Sequence, residues 1–258
     1  MNRDEILKTN KCYWDTYADL WFGTTALPTY GVHFVTEDEL QLFGDVSGKK
    51  MLELCCGSGH SLKYHADRNA SELWGVDLSH KQIENARRYL SENGYTANFI
   101  CSPMEADMDI PKNYFDYIYS IYGIGWTTDL DGTFQKISSY LKKDGIFITE
   151  QVGENNERDL VQMVLPDIPK PFPNMNLTVQ RKKFEEAGFK IIRAEETYRP
   201  ITFYDIGAFV WFAHIIEWEF PNFSVSKCYE NLLKMQDIID KYGKVQGTIH
   251  RYLIVAQK

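Results

Sequence analysis

An α/β fold built on a doubly wound, mostly parallel sheet is what this 258-residue sequence predicts. Three observations carry the prediction. Short apolar runs alternate with helix-period patterns over residues 50–150, the signature of successive βαβ units. The first apolar run, Met51-Leu52-Glu53-Leu54-Cys55-Cys56, enters a tight turn at Gly57-Ser58-Gly59. Eighteen residues beyond Gly59, a second run, Leu73-Trp74-Gly75-Val76-Asp77, ends in a carboxylate.

The N-terminal segment to about residue 46 reads as helical, with Trp14, Tyr17, Ala18 and Trp21 spaced for one helix face. Strand one is expected at 50–55 and its helix at 59–68. Strand two follows at 73–77. Ser79 is suited to cap a helix running from Lys81 to Asn93, which Gly94 stops. Strand three is expected at 97–101. Strand four, Phe115 to Ser120, is apolar enough for a sheet covered on both faces. A helix over 131–141 leads to strand five at 145–150. Residues 152–176 hold Pro166, Pro169, Pro171 and Pro173 and read as irregular. A helix over 178–187 stops at Gly188, a strand spans 189–198, and Thr248 to Ala256 is the seventh strand. Helical patterns at 204–218 and 225–241 fall between the last two strands.

Composition narrows the partners. The net charge is −8 and the pI about 5.3. Proteins that track a nucleic-acid backbone show a basic face, and only Lys142-Lys143 and Arg181-Lys182-Lys183 form short basic runs. Nucleic acid is therefore not an expected partner. No run of about 18 apolar residues predicts a membrane span. The start, Met1-Asn2-Arg3-Asp4-Glu5, has no apolar signal core, so a cytoplasmic location is expected. Five cysteines without Cys-x-x-Cys spacing fit reduced, buried thiols; a reactive cysteine is the alternative.

The glycine turn and Asp77 lie at one mouth of the predicted sheet, where a carboxylate accepts hydrogen bonds from ribose hydroxyls. A dinucleotide loop needs a third glycine, and its position is held by Leu62. Glu53, four residues before Gly57, would repel a pyrophosphate but suits an ammonium group. S-adenosylmethionine has an ammonium, a ribose and no phosphate. With Glu53-Leu54-Cys55-Cys56-Gly57-Ser58-Gly59 and Gly75-Val76-Asp77-Leu78-Ser79, the sequence resembles the class I S-adenosylmethionine-dependent methyltransferases. Cys56 stands where a glycine is more usual.

The resemblance implies a Rossmann-like methyltransferase fold of seven strands with an antiparallel last strand, and S-adenosylhomocysteine as product. The resemblance covers about 50–150 well, the last two strands loosely and residues 200–246 hardly at all. With the helical patterns it divides the chain into an expected N-terminal helical lid (1–46), a cofactor-binding core (47–199 and 247–258) and an inserted helical subdomain (200–246) over the active-site mouth. It implies cofactor contacts from Glu53, Gly57, Ser58, Gly59, Asp77 and Leu78. The loop Ser102-Pro103-Met104-Glu105 corresponds to the family's adenine-edge loop. Pro103 cannot accept from the adenine amine, which leaves Ser102 or a backbone carbonyl, with Met104 as an apolar wall. Ser120 lies where members contact the methionine backbone, and Tyr17 resembles an N-terminal lid tyrosine.

Catalytic assignment rests on less. Orientation alone lowers a displacement barrier by roughly 7–11 kcal/mol in favourable cases, so a general base is not obligatory. His33, Tyr122, His214 and Glu217 are the candidate bases, with His214 and Glu217 three apart on one expected helix face. Tyr122, Trp126, Trp211 and His214 are candidate acceptor contacts. The aromatic insertion suits a flat or apolar small molecule, and equally a mini-core or homodimer contact. No metal ligand cluster stands out. The rivals are an RNA or protein methyltransferase, a non-catalytic sensor of the cofactor or its product, and, more distantly, a nicotinamide oxidoreductase.

Overall fold

The computed structural model describes residues 2–31 and 34–258. The chain forms two compact units. The first holds the residues up to Gln151 with Arg181–Ala194 and Leu253–Lys258; the second holds Val152–Gln180 and Glu195–Tyr252. The second unit thus takes in residues 152–180 together with the expected insertion.

The strands are β1 (Lys50–Leu54), β2 (Glu72–Asp77), β3 (Asn98–Cys101), β4 (Phe115–Ile121), β5 (Leu141–Val152), β6 (Lys190–Phe203) and β7 (Val245–Gln257). They make one sheet in the order β3-β2-β1-β4-β5-β7-β6. It is parallel from β3 to β5, and the β5-β7-β6 end is antiparallel, as expected. Because β1 pairs with β2 on one side and β4 on the other, the chain reverses its direction of travel across the sheet at β1. Ligands of such sheets bind at the carboxyl ends of the strands at that switch point.

In the first unit the helices are α1 (Arg3–Thr16), α2 (Glu37–Leu40), α3 (His60–Ala66), α4 (His80–Glu92) and α5 (Leu130–Tyr140). Met51, Leu52 and Ile118 are sealed from solvent, because a sheet covered on both faces leaves no strand side wet. Ser79 caps α4 by accepting from Gln82 N at 3.1 Å, and Gly94 follows its end at φ +80°. The N-terminal region is less helical than its aromatic spacing suggests. α1 ends at Thr16, and Ala18 to Thr24 run as turns. Tyr17, Ala18 and Trp21 therefore lie outside the helix. The segment beyond is fixed by Glu37, which accepts from Tyr30 Oη at 2.6 Å and Phe43 N at 2.9 Å. Over residues 18–24 long-range partners override the helical periodicity: Asp19 accepts from Asn85 Nδ2 at 2.9 Å, and Gly23 N donates to Ser58 Oγ at 3.2 Å.

The second unit contains α6 (Arg158–Val164), α8 (Ile206–Ile215), α9 (Val225–Tyr242) and the start of α7 (Leu177–Glu186). The stretch 152–176 is not wholly irregular: α6 precedes its first proline and buries Leu160, Val161 and Val164. α9 buries Cys228, Leu232, Met235 and Ile239, one face at helical spacing. Phe203, Phe209, Phe212, Phe220 and Phe223 form the aromatic part of this core.

A polar cluster also lies inside the second unit. Asn156 Oδ1 accepts from Arg251 Nη1 at 2.6 Å and His250 N at 3.2 Å, and Asn156 Nδ2 reaches Glu219 at 3.5 Å. Burial, then the neighbouring Glu219, pushes the Glu157 carboxyl up to about 8; burial pushes Glu219 up to about 7. Folded values above the ordinary one mean that the contribution to stability is full below about 4.5 and is lost as pH rises through 7 to 8. His65 acts in the opposite sense: burial lowers it to about 3, so its contribution fades as pH falls below 6.5. Glu157→Gln isolates the carboxylate effect. Its thermal midpoint is expected to gain on wild type as pH rises from 5 to 8. Parallel pH profiles for the two proteins would remove Glu157 as the cause.

Candidate functional site

Strand register assembles the site within the first unit. Leu54 pairs with Val76, Asp77 with Cys101, and Glu53 with Tyr119. The turn after β1, Asp77, Ser102 and Ser120 consequently lie along one edge of the sheet. The turn is held shut by Asp77: Oδ2 accepts from Gly57 N and Oδ1 from Ser79 N, both at 2.9 Å.

The turn corrects one expectation. Cys55, at φ +58°, is the residue in the left-handed, glycine-like conformation, and Cys56 is not. Cys56 is buried, its Sγ 2.8 Å from where a Cβ on Gly75 would stand. Leu62 Cδ1 stands 3.0 Å from that same point. Close packing that a dinucleotide fold obtains from a third loop glycine is obtained here by leaving β2 without a side chain at Gly75. Cys56→Gly is therefore expected to cost about 2 kcal/mol, from the lost buried side chain and added backbone freedom. Cys55→Gly, which relieves about 1–2 kcal/mol of left-handed strain, should cost less than about 1 kcal/mol. Chemical denaturation of both variants checks the order.

Burial raises the Asp77 carboxyl to about 6; the Ser79 and Gly57 amides pull it down, and Asp15 pushes it up. Glu53 is deeper. It accepts from Tyr119 Oη at 3.3 Å and from Ser61, and burial holds it well above the usual carboxylate range. Burial likewise raises the Cys55 and Cys56 thiols well above their ordinary value, which opposes thiolate chemistry.

The other expected contacts divide by what already holds them. Ser58 Oγ accepts from Gly23 N at 3.2 Å and meets His60 Nδ1 at 3.0 Å. Ser102 Oγ donates to Pro103 O at 3.2 Å. Glu105 accepts from Thr128 and pairs with Arg3 at 3.5 Å, fastening α1 to two loops. Leu78 is half-buried and Met104 buried. Ser120 Oγ is wholly buried without a hydrogen-bond partner. Gln82 Oε1 is buried without a partner too, 4.0 Å from the position of a Cβ on Gly57. Sequence reasoning missed Gln82. The signal was its place in the first turn of a helix that opens beside Asp77.

Tyr17 is 41% exposed and packs on Tyr13 at 4.7 Å. Trp126 instead meets the N-terminal segment, 5.5 Å from Trp14. Tyr122, in left-handed backbone at φ +58°, donates its hydroxyl to Tyr30 O. Non-glycine residues held this way cluster at functional sites. His33 lies outside the described residues. Trp211 and His214 are exposed on α8 in the second unit. Glu217 follows the end of that helix, so it does not share a helix face with His214 as expected. Among the described residues no group of three or more His, Cys, Asp or Glu could hold a metal.

S-adenosylmethionine fits these residues. Asp77 is a buried carboxylate at the strand end that could accept from ribose hydroxyls, Met104 is a buried apolar side chain, and Ser120 and Gln82 present buried polar atoms that a ligand would satisfy. A family model described as "Methyltransferase domain" matches residues 51–145. An uncharacterized protein of Haemophilus influenzae is 30% identical over 115 residues, 43% of this chain and 45% of its own. Sterol 24-C-methyltransferase erg6 of Aspergillus fumigatus is 25% identical over 162 residues, 59% of this chain and 43% of its own. The matches thus span less than half the length of either relative. Phosphoethanolamine N-methyltransferase 2 of Haemonchus contortus, solved with S-adenosyl-L-methionine, superposes at a TM-score of 0.59 with 20% identity, covering 99% of this chain and 59% of that one. Turn, sheet order and family match agree: over residues 51–145 the chain carries a methyltransferase domain of the class I S-adenosylmethionine-dependent type.

Proposed function

We propose that the chain transfers the methyl group of S-adenosylmethionine to a small-molecule acceptor. The carrying observation is the carboxyl edge of the first unit, where Asp77 and the unpartnered Ser120 Oγ and Gln82 Oε1 surround a glycine turn. When bound, the cofactor supplies an electrophilic methyl carbon on a sulfonium. Asp77 would accept from the ribose hydroxyls, Ser120 would donate to the methionine portion, and Met104 would shield the adenine. Burial disfavours the charged form of Glu53, and an arriving ammonium would favour it.

A small acceptor is supported by the net charge of −8, which disfavours a nucleic-acid track, and by a relative named as a sterol methyltransferase. No base is assigned. Tyr122 spends its hydroxyl on Tyr30, so it serves the loop's shape. Trp211 and His214 are exposed side chains of the second unit, Trp211 at 61%, and their part in acceptor binding is left to substitution. Alanine at either is expected to reduce turnover without weakening S-adenosylhomocysteine binding.

The test has two parts. Calorimetry should show binding of S-adenosylhomocysteine and none of NAD. A turnover screen over small-molecule acceptors should then release S-adenosylhomocysteine. Binding without release on any small molecule, RNA or protein would establish a sensor in place of an enzyme.

A further inference from the structure

Asp15 closes α1 and was no part of the expected site. Its Oδ1 accepts from Ser79 Oγ at 2.7 Å and from Lys81 N at 3.3 Å. Ser79 is the pivot. Its hydroxyl also accepts from Gln82 N, and its own amide donates to Asp77 Oδ1. Asp77 in turn holds Gly57 N. One hydrogen-bonded line thus runs from α1 through the cap of α4 to the ribose carboxylate and the glycine turn. α1 itself buries no residue. It is attached by this line, by the contacts of Arg3 with Glu105 and Thr128, and by its aromatic contacts. An element with so little buried surface opens at low cost, so its few polar ties decide its position.

We propose that Asp15 is a positioning residue for cofactor binding, coupling the docking of α1 to the orientation of Asp77 through Ser79. This rests on the reading of Asp77 as the ribose acceptor. With α1 docked, Ser79 is oriented from both sides and Asp77 faces the turn in one rotamer. With α1 released, Ser79 loses its acceptor and the anchor of Asp77 loosens.

Charge gives a readout that simple anchoring would not move. Burial alone would raise the Asp15 carboxyl, but Lys11, Ser79 and Lys81 outweigh it and hold it below the ordinary value. Asp15 stays ionised and raises Asp77. The other groups facing Asp77 are Glu53, Cys55 and Cys56 from β1 and its turn, and Cys101 from β3; Lys11 of α1 pairs with Asp15. Wild-type affinity should therefore fall as pH drops through about 6, where Asp77 takes up its proton. Asp15→Asn keeps an oxygen for Ser79 and Lys81 but removes the charge, so this acid limb should move to lower pH. Asp15→Ala removes the acceptor and should bind about tenfold more weakly at pH 8.

The experiment is calorimetric titration of the full chain with S-adenosylhomocysteine from pH 5 to pH 8, on wild type and both variants, with circular dichroism as the fold control. Failure of the wild type to bind overturns the proposed function itself. Wild-type binding with an unmoved acid limb in Asp15→Asn, or undiminished affinity in Asp15→Ala, overturns the role of Asp15 alone. If Asp15→Ala does not fold, the limb in Asp15→Asn decides.

Discussion

Asp77→Ala is expected to weaken S-adenosylhomocysteine binding by at least about 100-fold. Two charge-assisted hydrogen bonds to ribose hydroxyls, at about 1.5–3 kcal/mol each, set that scale. The structure adds a second consequence. Asp77 is also the acceptor for Gly57 N and Ser79 N, so its removal leaves two amides of the turn without their partner. The stability of the variant should fall as well, by about 1–3 kcal/mol for donors left unsatisfied. Removing a carboxylate that burial raises to about 6 offsets part of that loss. Calorimetry and thermal unfolding of the same variant separate the two effects. A folded Asp77→Ala with unchanged affinity would show that the carboxylate shapes the turn and does not bind ribose.

Gly153→Ala should be among the most destabilising single substitutions in the second unit. A Cβ there would stand 2.2 Å from His250 Cε1 and Nδ1. The ring cannot step aside. It is wholly buried, Nδ1 accepts from Asn155 N at 3.1 Å, and Nε2 meets Glu196 at 2.9 Å. Tyr198 stacks on it at 4.3 Å. Overpacking costs about 1–3 kcal/mol, and a pinned neighbour puts this case at the upper end. His250→Ala in the same chain opens the space, so the double variant should lose less than the sum of the two single losses. Denaturant unfolding of the three variants checks this. A Gly153→Ala protein within about 0.5 kcal/mol of wild type would mean that the backbone does not approach His250 this closely.

The two predictions differ in where their evidence became visible. The position of Asp77 at the strand end was legible because spacing in a βαβ unit determines where a strand-end carboxylate sits; its binding of ribose is the proposal the first prediction tests. His250 read only as part of an apolar strand, and nothing near Gly153 marked it as a contact. The two residues are distant in sequence and meet because β7 returns to the sheet beside β5. Gln82 is intermediate. Its helix and cap were anticipated, but its unpartnered Oε1 beside Gly57 depends on a rotamer and on a turn conformation set by Asp77. Cys55 and Cys56 show the same limit at single-residue scale: both sit in the motif, and only the backbone angle tells which one replaces the glycine.

By itself the sequence determined the alternation of strands and helices, the edge of the sheet that carries the ligand groups, and the kind of cofactor they suit. Those properties follow from period, from local caps and from short spacings, all of which act over a few residues. Tertiary structure alone decided which polar groups are already satisfied. Ser58, Ser102, Glu105 and Tyr122 were plausible contacts by position, yet their hydroxyls and carboxylate have acceptors or donors within the first unit. Ser120 and Gln82 do not. Asp15 acquired its place only because α1 folds back onto the first turn of α4, 64 residues further along the chain from Asp15 to Ser79. Hydrogen-bond satisfaction is a property of neighbours in space, and a linear pattern does not carry it.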